Sequence, residues 1–199
     1  SSDGVGLMLG LKEQAPDLAL KGRPVVLLGA GGAARAGAGA LVEAGVPELE
    51  VGVPAMGPDA VADIAAESKP QRAADLYAGA GNFAFAMAQR NIPVIAVESN
   101  PLLAGSAKAE SKRRSLNIKV HDDSVEHYVR NGAPHAELIV ADPPRAGLDT
   151  VARKLHGYGA RTLVLLSCHV PAMVRDLRAL QSVGWTVKSI TPYDMFAQT

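Results

Sequence analysis

The only cysteine of the chain, Cys168, lies between an apolar stretch and a helical pattern in LLSCHVPAMVRD, residues 165–176. A lone cysteine in an apolar strand is most often a small buried hydrophobic residue. Here the residue closes a strand and precedes a helix, and a helix N-terminus favours the thiolate, the reactive form of the side chain. Two interpretations therefore stand side by side, a buried core residue and a nucleophile.

Two glycine-rich turns, each between an apolar strand and a helical pattern, could receive a nucleotide. The first is VVLLGAGGAARA, residues 25–36, and the second is DLYAGAGNF, residues 75–83. Glycines let the backbone approach a ligand, and the N-terminus of the following helix offers free N–H groups. Tight strand-to-helix turns also need glycine for structural reasons alone, so each turn by itself is a weak signal.

Carboxylates follow the second turn at the ends of successive strands. Asp75 opens the turn, where it could hold an amino group of a ligand or brace the N–H groups of the loop. Glu98 ends the next strand, at the place where a carboxylate can accept hydrogen bonds from both ribose hydroxyls. Asp123 follows a third strand and is a candidate for contacting an adenine amino group, although Asp122 beside it is an alternative.

A fourth strand ends in DPPRAGL, residues 142–148. Two consecutive prolines stiffen a loop beside the edge of the sheet where ligands bind. The loop would place Asp142 and Arg145 at that edge. A simple strand stop with an exposed arginine is the alternative.

The repetition of strand, turn and helix predicts the elements that must position these residues. Eight apolar segments favour strands, the last of them WTVKSITP, residues 185–192, and helical patterns separate them. This alternation predicts an α/β fold, a doubly wound, Rossmann-like and mostly parallel sheet in a three-layer α/β/α arrangement. Ligands of such sheets bind outside the carboxyl ends of the strands.

Composition narrows the setting of the protein. The 199 residues are 48% hydrophobic but only 4% aromatic, which is typical of tightly packed helices on a sheet. No apolar run approaches the roughly 18 residues that span a bilayer, and a single cysteine suits a reducing compartment, so we expect a cytoplasmic protein. The five histidines and one cysteine have no zinc-site spacing, and no metal is expected.

Charge divides the chain into two segments. Residues 1–68 contain 4 Lys or Arg and 9 Asp or Glu, whereas the remainder carries an excess of basic residues. This asymmetry predicts a boundary near KPQR, residues 69–72. We expect the first segment, a βαβα unit, to pack onto the same sheet as the second.

The first segment resembles the NADP-binding region of shikimate dehydrogenases. SSDGVGLMLGL, residues 1–11, and the glycine turn of residues 25–36 carry the resemblance, which matches Asp3 with a catalytic aspartate. It matches Gly29, Gly31 and Gly32 with the phosphate-binding turn. VGVPAM, residues 51–56, departs from the family because it offers neither an arginine for a 2′-phosphate nor an acid for a ribose. An NADP-binding oxidoreductase fragment is therefore an alternative interpretation.

The second segment, residues 69–199, resembles the catalytic domain of the RNA (uracil-5-)methyltransferases. Five stretches occur in the order of that family: DLYAGAGNF, AVESN at 96–100, DPPRAGL, SC followed by RDL at 175–177, and PYDMFAQT at 192–199. The resemblance implies S-adenosylmethionine as cofactor and a uridine-containing RNA as partner. It implies cofactor contacts at Asp75, Tyr77, Gly79, Gly81, Asn82, Glu98, Asp123 and Asp142.

The resemblance also implies covalent catalysis. Cys168 would add to C6 of a uracil flipped out of its stack, with Asp142 and Arg145 positioning the uridine. The family's general-base glutamate lies beyond the stretch matched by PYDMFAQT, and its RNA-gripping domains find no match, so completed turnover is not expected. A recombined or designed scaffold without catalysis is the third interpretation.

Overall fold

The structure, a computed structural model, describes residues 57–131 and 135–190. The predictions for the shikimate-dehydrogenase-like segment at Asp3, Gly29, Gly31 and Gly32 lie outside these residues, as does PYDMFAQT. The described chain divides into two compact units. The larger comprises residues 57–131, 135–144 and 150–166, and the smaller comprises residues 145–149 and 167–190.

The larger unit alternates helices and strands along the chain. Its elements are α1 (Pro58–Ser68), β1 (Ala73–Leu76), α2 (Asn82–Gln89), β2 (Val94–Glu98), α3 (Pro101–Arg113), β3 (Ile118–Asp122), α4 (Val125–Arg130), β4 (Leu138–Ala141), α5 (Val151–Lys154), a 3₁₀ turn (Leu155–Tyr158) and β5 (Thr162–Leu165). Every helix within the described ranges is too short or too polar to span a bilayer.

The five strands form one parallel sheet in the order β3-β2-β1-β4-β5. The central strands β1 and β4 are buried at every position, as is typical of parallel strands covered on both faces, and Asp75 is the one charged residue of the two strands. The edge strand β3 has no buried residue, and each of its five positions is partly or largely exposed. The predicted doubly wound α/β sheet is confirmed.

Helices cover both faces of the sheet. The crossovers through α2 and α3 lead from β1 outward to β3, whereas the chain returns through α4 to β4 on the other side of β1. Crossovers between parallel strands are right-handed. Helices α2 and α3 therefore lie on one face of the sheet, and α4 lies on the opposite face. The helix packing agrees, since α1 packs on α2 and α4 packs on α5. The three-layer arrangement is the one the sequence predicts.

Helix α1 is the described part of the acidic first segment. It begins at Pro58, a residue whose fixed φ suits the first helical turn, and buries Val61, Ala62 and Ala65. Arg90, which follows α2, pairs with Asp63 of α1 at 2.7 Å. This ion pair lies at the surface and adds little stability. The buried apolar face of α1 therefore contributes most to its packing against α2.

The reversal of strand order creates a crevice between β1 and β4. In open α/β sheets, ligands bind outside the carboxyl ends of the strands where the order reverses. The glycine turn follows β1 at this point, and Asp142 follows β4 directly. The topology therefore brings two of the predicted site stretches to one place.

The smaller unit contains helix α6 (Val170–Gln181) and the loop at residues 145–149. The strand predicted at WTVKSITP is wrong in its described part, since residues 185–190 have no regular structure. Their sequence has the alternation of a strand, but a strand forms only where its backbone pairs with a neighbour. In the described sheet, β5 pairs with β4 alone.

Candidate functional site

The turn after β1 adopts a backbone that glycine makes possible. Tyr77, Gly79 and Gly81 have φ values of 64°, 55° and 94°, all in the left-handed region. The N–H of Gly81 donates to the carbonyl of Ala78 at 2.8 Å and closes the turn. A Cβ atom placed on Gly79 would meet no atom within 4 Å. A ligand can therefore approach the backbone closely at Gly79.

Asp75 braces the helix that follows the turn. Its Oδ2 accepts the backbone N–H of Ala84, in the first turn of α2, at 2.8 Å. The first N–H groups of a helix lack partners within the helix, and the N-cap residue Gly81 has no side chain to supply one. Of the two roles predicted for Asp75, bracing of N–H groups is the one seen among the described residues.

Burial gives Asp75 unusual acid–base behaviour. The residue is 0% exposed, and its Oδ1 accepts no hydrogen bond from the described part of the chain. Removal from water, together with the negative charges of Asp142 and Glu98, raises the pKa of Asp75 to about 8 against the lowering effect of the Ala84 N–H. Asp142 and Glu98 each lie close enough to Asp75 to interact with it electrostatically.

Glu98 links the end of β2 to the glycine turn. Its Oε2 accepts the N–H of Gly79 at 2.8 Å, and its Oε1 accepts the N–H of Asn100 at 2.7 Å. Each carboxylate oxygen can accept two hydrogen bonds, so each retains one further acceptor position. Glu98 is partly exposed and can use these positions toward a ligand.

Asp123 lies just beyond β3, next to Glu98. Its N–H donates to the backbone carbonyl of Glu98 at 3.0 Å, which fixes the two residues at the same edge. Its carboxylate pairs with Nδ1 of His127 at 2.7 Å, and this hydrogen bond lowers the pKa of Asp123. Asp122, the alternative candidate, is the last residue of β3 and is exposed.

Two further predicted cofactor contacts lie on the same turn. Asn82 is exposed at the first position of α2. Tyr77 is partly exposed, and its hydroxyl lies 3.4 Å from Oε1 of Glu126 on α4. The glycine turn is thus connected to the segment after β3 in two ways. Tyr77 contacts Glu126 directly, and Glu98 bonds both to Gly79 and to Asp123.

Asp142 follows β4 at the crevice. Its N–H donates to the carbonyl of Leu76 at 3.4 Å, so its backbone continues the pairing of β1 with β4. The residue is exposed at the surface, but neighbouring atoms partly desolvate its carboxyl group and raise the pKa of Asp142. The larger unit therefore gathers Asp75, Glu98, Asp123 and Asp142 at the carboxyl edge of one sheet.

Cys168 belongs to the smaller unit and is exposed. The interpretation as a buried core residue is therefore wrong. The cysteine lies beyond Leu165, the last residue of β5, and just before His169, the N-cap of α6. Its side chain is therefore not one of the buried apolar residues of the strand. The hydroxyl of the preceding Ser167 accepts the N–H of His169 at 3.4 Å.

Arg145 is exposed at the start of a braced loop. Asp176 of α6 is 2% exposed, and its Oδ2 accepts the N–H of Leu148 at 2.6 Å. Arg175 donates to the carbonyl of Ala146. The RDL stretch, which entered the family resemblance only through its spacing, thus holds residues 146–148 in place within the smaller unit.

Sequence reasoning missed the roles of Asp176 and His127. Asp176 carried a weak signal, an acid on the apolar face of an amphipathic helix, which normally requires a buried partner. His127 lies on α4, which was not predicted, although Ser124 is a suitable N-cap before the apolar residues Val125 and Tyr128. Among the described residues, no group of three acidic, histidine or cysteine side chains could hold a metal ion.

The strand order, with a glycine turn after β1 and carboxylates at the carboxyl ends of β1, β2 and β4, matches the Rossmann-like fold of methyltransferases. Comparison with solved structures agrees. The tRNA (uracil-54, C5)-methyltransferase of Pyrococcus abyssi, solved with S-adenosyl-L-homocysteine, matches with a TM-score of 0.56 and 24% identity over 63% of this chain and 31% of that one.

Sequence comparison finds relatives named as RNA methyltransferases, although no family model matches the chain. An uncharacterized RNA methyltransferase of Thermotoga maritima is 33% identical over 127 residues, which are 63% of this chain and 29% of that protein. The 23S rRNA (uracil(1939)-C(5))-methyltransferase RlmD of Pseudomonas fluorescens is 33% identical over 136 residues, 65% of this chain and 29% of that protein. The chain spans less than a third of the length of these relatives.

Proposed function

We propose that residues 69–190 form the S-adenosylmethionine-binding core of a methyltransferase that acts on C5 of uracil in RNA. One observation carries the cofactor assignment. Two carboxylates, Glu98 and Asp142, place negative charge beside Asp75 at a glycine turn whose backbone at Gly79 is open to a ligand. A concentration of negative charge at such a turn favours a cationic ligand over a nucleotide that carries phosphates.

S-adenosylmethionine fits this arrangement by its chemistry. The cofactor carries a positive sulfonium and an ammonium group, and it supplies an activated methyl group when bound. The Oε atoms of Glu98 each retain an acceptor position, which suits the two neighbouring hydroxyls of a ribose. Asp75 holds α2 through Ala84 and thereby keeps the N–H groups of the turn in place. Asp142 contributes charge at the other side of the crevice.

Dinucleotide binding at the same turn is disfavoured. A pyrophosphate at the turn would carry two negative charges toward Glu98, which already accepts the N–H of Gly79 that a phosphate would need. The alternative of NADP binding rests on the first glycine turn, which lies outside the described residues.

The reaction is inferred from the relatives and from the exposed cysteine. Two of the similar proteins are named as uracil-C5 methyltransferases. In the proposed chemistry, the Cys168 thiolate adds to C6 of the uracil and forms a C–S bond, and the electron pair of the C5–C6 double bond moves toward C5. C5 would then accept the activated methyl group that bound S-adenosylmethionine supplies, with S-adenosylhomocysteine as the leaving group. Loss of the C5 proton to a base expels the thiolate.

Calorimetry on the whole 199-residue chain tests the proposal. S-adenosylhomocysteine and NADPH are titrated separately into the protein at neutral pH. We expect saturable one-to-one binding of S-adenosylhomocysteine and no binding of NADPH. Binding of NADPH without S-adenosylhomocysteine would overturn the proposal and favour the oxidoreductase alternative, and binding of neither would favour the non-catalytic scaffold.

A further inference from the structure

Asp123, His127 and Asn131 form a continuous row of side chains beside the candidate cofactor site. Nδ1 of His127 lies 2.7 and 2.9 Å from the two carboxylate oxygens of Asp123. On the other side of the ring, Nε2 lies 2.8 Å from the amide nitrogen of Asn131. An amide nitrogen only donates, so Nε2 of the neutral ring accepts and the ring proton resides on Nδ1, which donates to Asp123.

The row is connected to the residues that would hold the ribose. The N–H of Asp123 donates to the carbonyl of Glu98, and the carboxylate of Glu98 accepts the N–H of Gly79. The N–H of Ser124 donates to Oδ1 of Asp123 at 2.8 Å, so that oxygen has two partners while Oδ2 has one. Oδ2 therefore keeps an acceptor position, on a residue whose backbone N–H bonds to the carbonyl of Glu98.

Stability does not account for this arrangement. The side chains of His127 and Asp123 are 50% and 31% exposed, and an exposed pair of this kind contributes little to folding. The hydrogen bonds from the Ser124 N–H and from His127 Nδ1 fix the orientation of the Asp123 carboxylate. A fixed acceptor is useful only toward a partner with a defined donor.

We propose that His127 is a positioning residue that holds the Asp123 carboxylate as an acceptor for the exocyclic amino group of adenine, and so sets the base preference of the site. The inference rests on the proposed function, because it assigns a part of the same cofactor site. A carboxylate accepts from a 6-amino group but is opposed by a 6-carbonyl oxygen, which has no proton to donate. The site should therefore prefer an adenosyl over an inosyl ligand.

The test compares the binding of S-adenosylhomocysteine and S-inosylhomocysteine by calorimetry. For the wild-type chain we expect at least about tenfold preference for the adenosyl compound. Asp123→Asn should abolish that preference, because its amide can donate to the 6-carbonyl. His127→Ala should weaken adenosyl binding by about threefold to tenfold, the effect of losing one ordinary hydrogen bond, and should reduce the preference.

Two further substitutions separate positioning from structure. His127→Asn places an amide N–H near the position of Nδ1 and should restore most of the preference, whereas His127→Gln places its amide near Nε2 and should not. Glutamine is the better helix former of the two, so a merely structural role would give the opposite ranking. His156→Ala, which removes an exposed histidine from the 3₁₀ turn, is the matched control and should leave both affinities unchanged.

The outcomes of this experiment are distinguishable from those of the proposed function. If the wild-type chain binds neither compound, both proposals fail together. If it binds S-adenosylhomocysteine but Asp123→Asn retains the wild-type preference, the assignment of Asp123 and His127 is overturned while cofactor binding stands. If Asp123→Asn loses the preference but His127→Ala does not change it, the role of His127 alone is overturned.

Discussion

The side chain of Asp176 accepts the backbone N–H of Leu148, with 2.6 Å between Oδ2 and nitrogen. Both residues are buried, and Arg175 adds a hydrogen bond to the carbonyl of Ala146 and an ion pair of 3.0 Å to Asp176. Gly147 lies in the chain between Ala146 and Leu148 and has a φ of 82°. It lies against the Asp176 carboxylate, where a larger residue would not fit. Two consecutive residues of α6 thus set the course of the loop that begins at Arg145.

Asp176→Ala should lower the free energy of unfolding by about 1–3 kcal/mol, because it leaves the buried N–H of Leu148 without a partner. Asp176→Asn keeps an acceptor oxygen and should cost less. Urea denaturation followed by circular dichroism measures both values. Arg178→Ala, which changes an exposed residue of the same helix, is the control and should stay within about 0.5 kcal/mol of the wild type. An alanine variant at Asp176 as stable as this control would contradict the bracing role.

The raised pKa of Asp75 predicts that stability falls as pH rises. The folded ligand-free protein keeps the proton up to about pH 8, whereas the unfolded chain releases it near pH 4. Between these values the folded state binds more protons than the unfolded state, so the free energy of unfolding decreases with increasing pH and levels off above about pH 8. Denaturation across pH 5–9 should show this slope in the wild type.

Asp75→Asn removes the titrating group and can still accept the Ala84 N–H, so its stability should depend less on pH over the same range. The same variant should bind S-adenosylhomocysteine more weakly at pH 8.5, because a negative charge beside the turn is lost. Identical pH slopes in the two proteins would show that Asp75 does not titrate in this range.

The sequence was informative where a property is local. Buried parallel strands such as Leu138–Ala141 are apolar at every position, and the glycine turn after Leu76 is read from adjacent residues. The positions of Asp75, Glu98 and Asp142 follow from these, because the strands bring their carboxyl ends to one edge. The fold and the carboxylates of the candidate site could therefore be predicted.

Interactions between distant residues could not be read in this way. The bond from Leu148 to Asp176 spans 28 residues, and only folding shows that an acid on α6 meets that N–H. Helix α4 has six residues, too few to display a helical period, so His127 had no predicted element. At residues 185–190 the alternation suggested a strand, but a strand also depends on a partner that the sequence pattern does not specify.

Glu98→Gln should weaken S-adenosylhomocysteine binding by about 1–3 kcal/mol, or roughly tenfold to a hundredfold. In the wild type, the two carboxylate oxygens of Glu98 accept the N–H groups of Gly79 and Asn100. The amide of glutamine has only one acceptor oxygen, so its NH₂ group must face one of these N–H groups. The substitution also removes an acceptor for the ribose hydroxyls. Calorimetry measures the loss. Glu67→Gln, an exposed glutamate on α1, is the matched control. Equal affinities of the wild type and Glu98→Gln would remove the ribose assignment.

Cys168 should react as an accessible nucleophile, because its side chain is exposed in the folded chain. Iodoacetamide should alkylate it without denaturant, as mass spectrometry of the intact protein would show. With S-adenosylmethionine and RNA transcribed with 5-fluorouridine, a covalent protein–RNA adduct should accumulate, because fluorine replaces the C5 proton whose removal would release the thiolate. Cys168→Ser should form no adduct. Alkylation only after unfolding, or alkylation with no adduct, would show that Cys168 does not attack uracil.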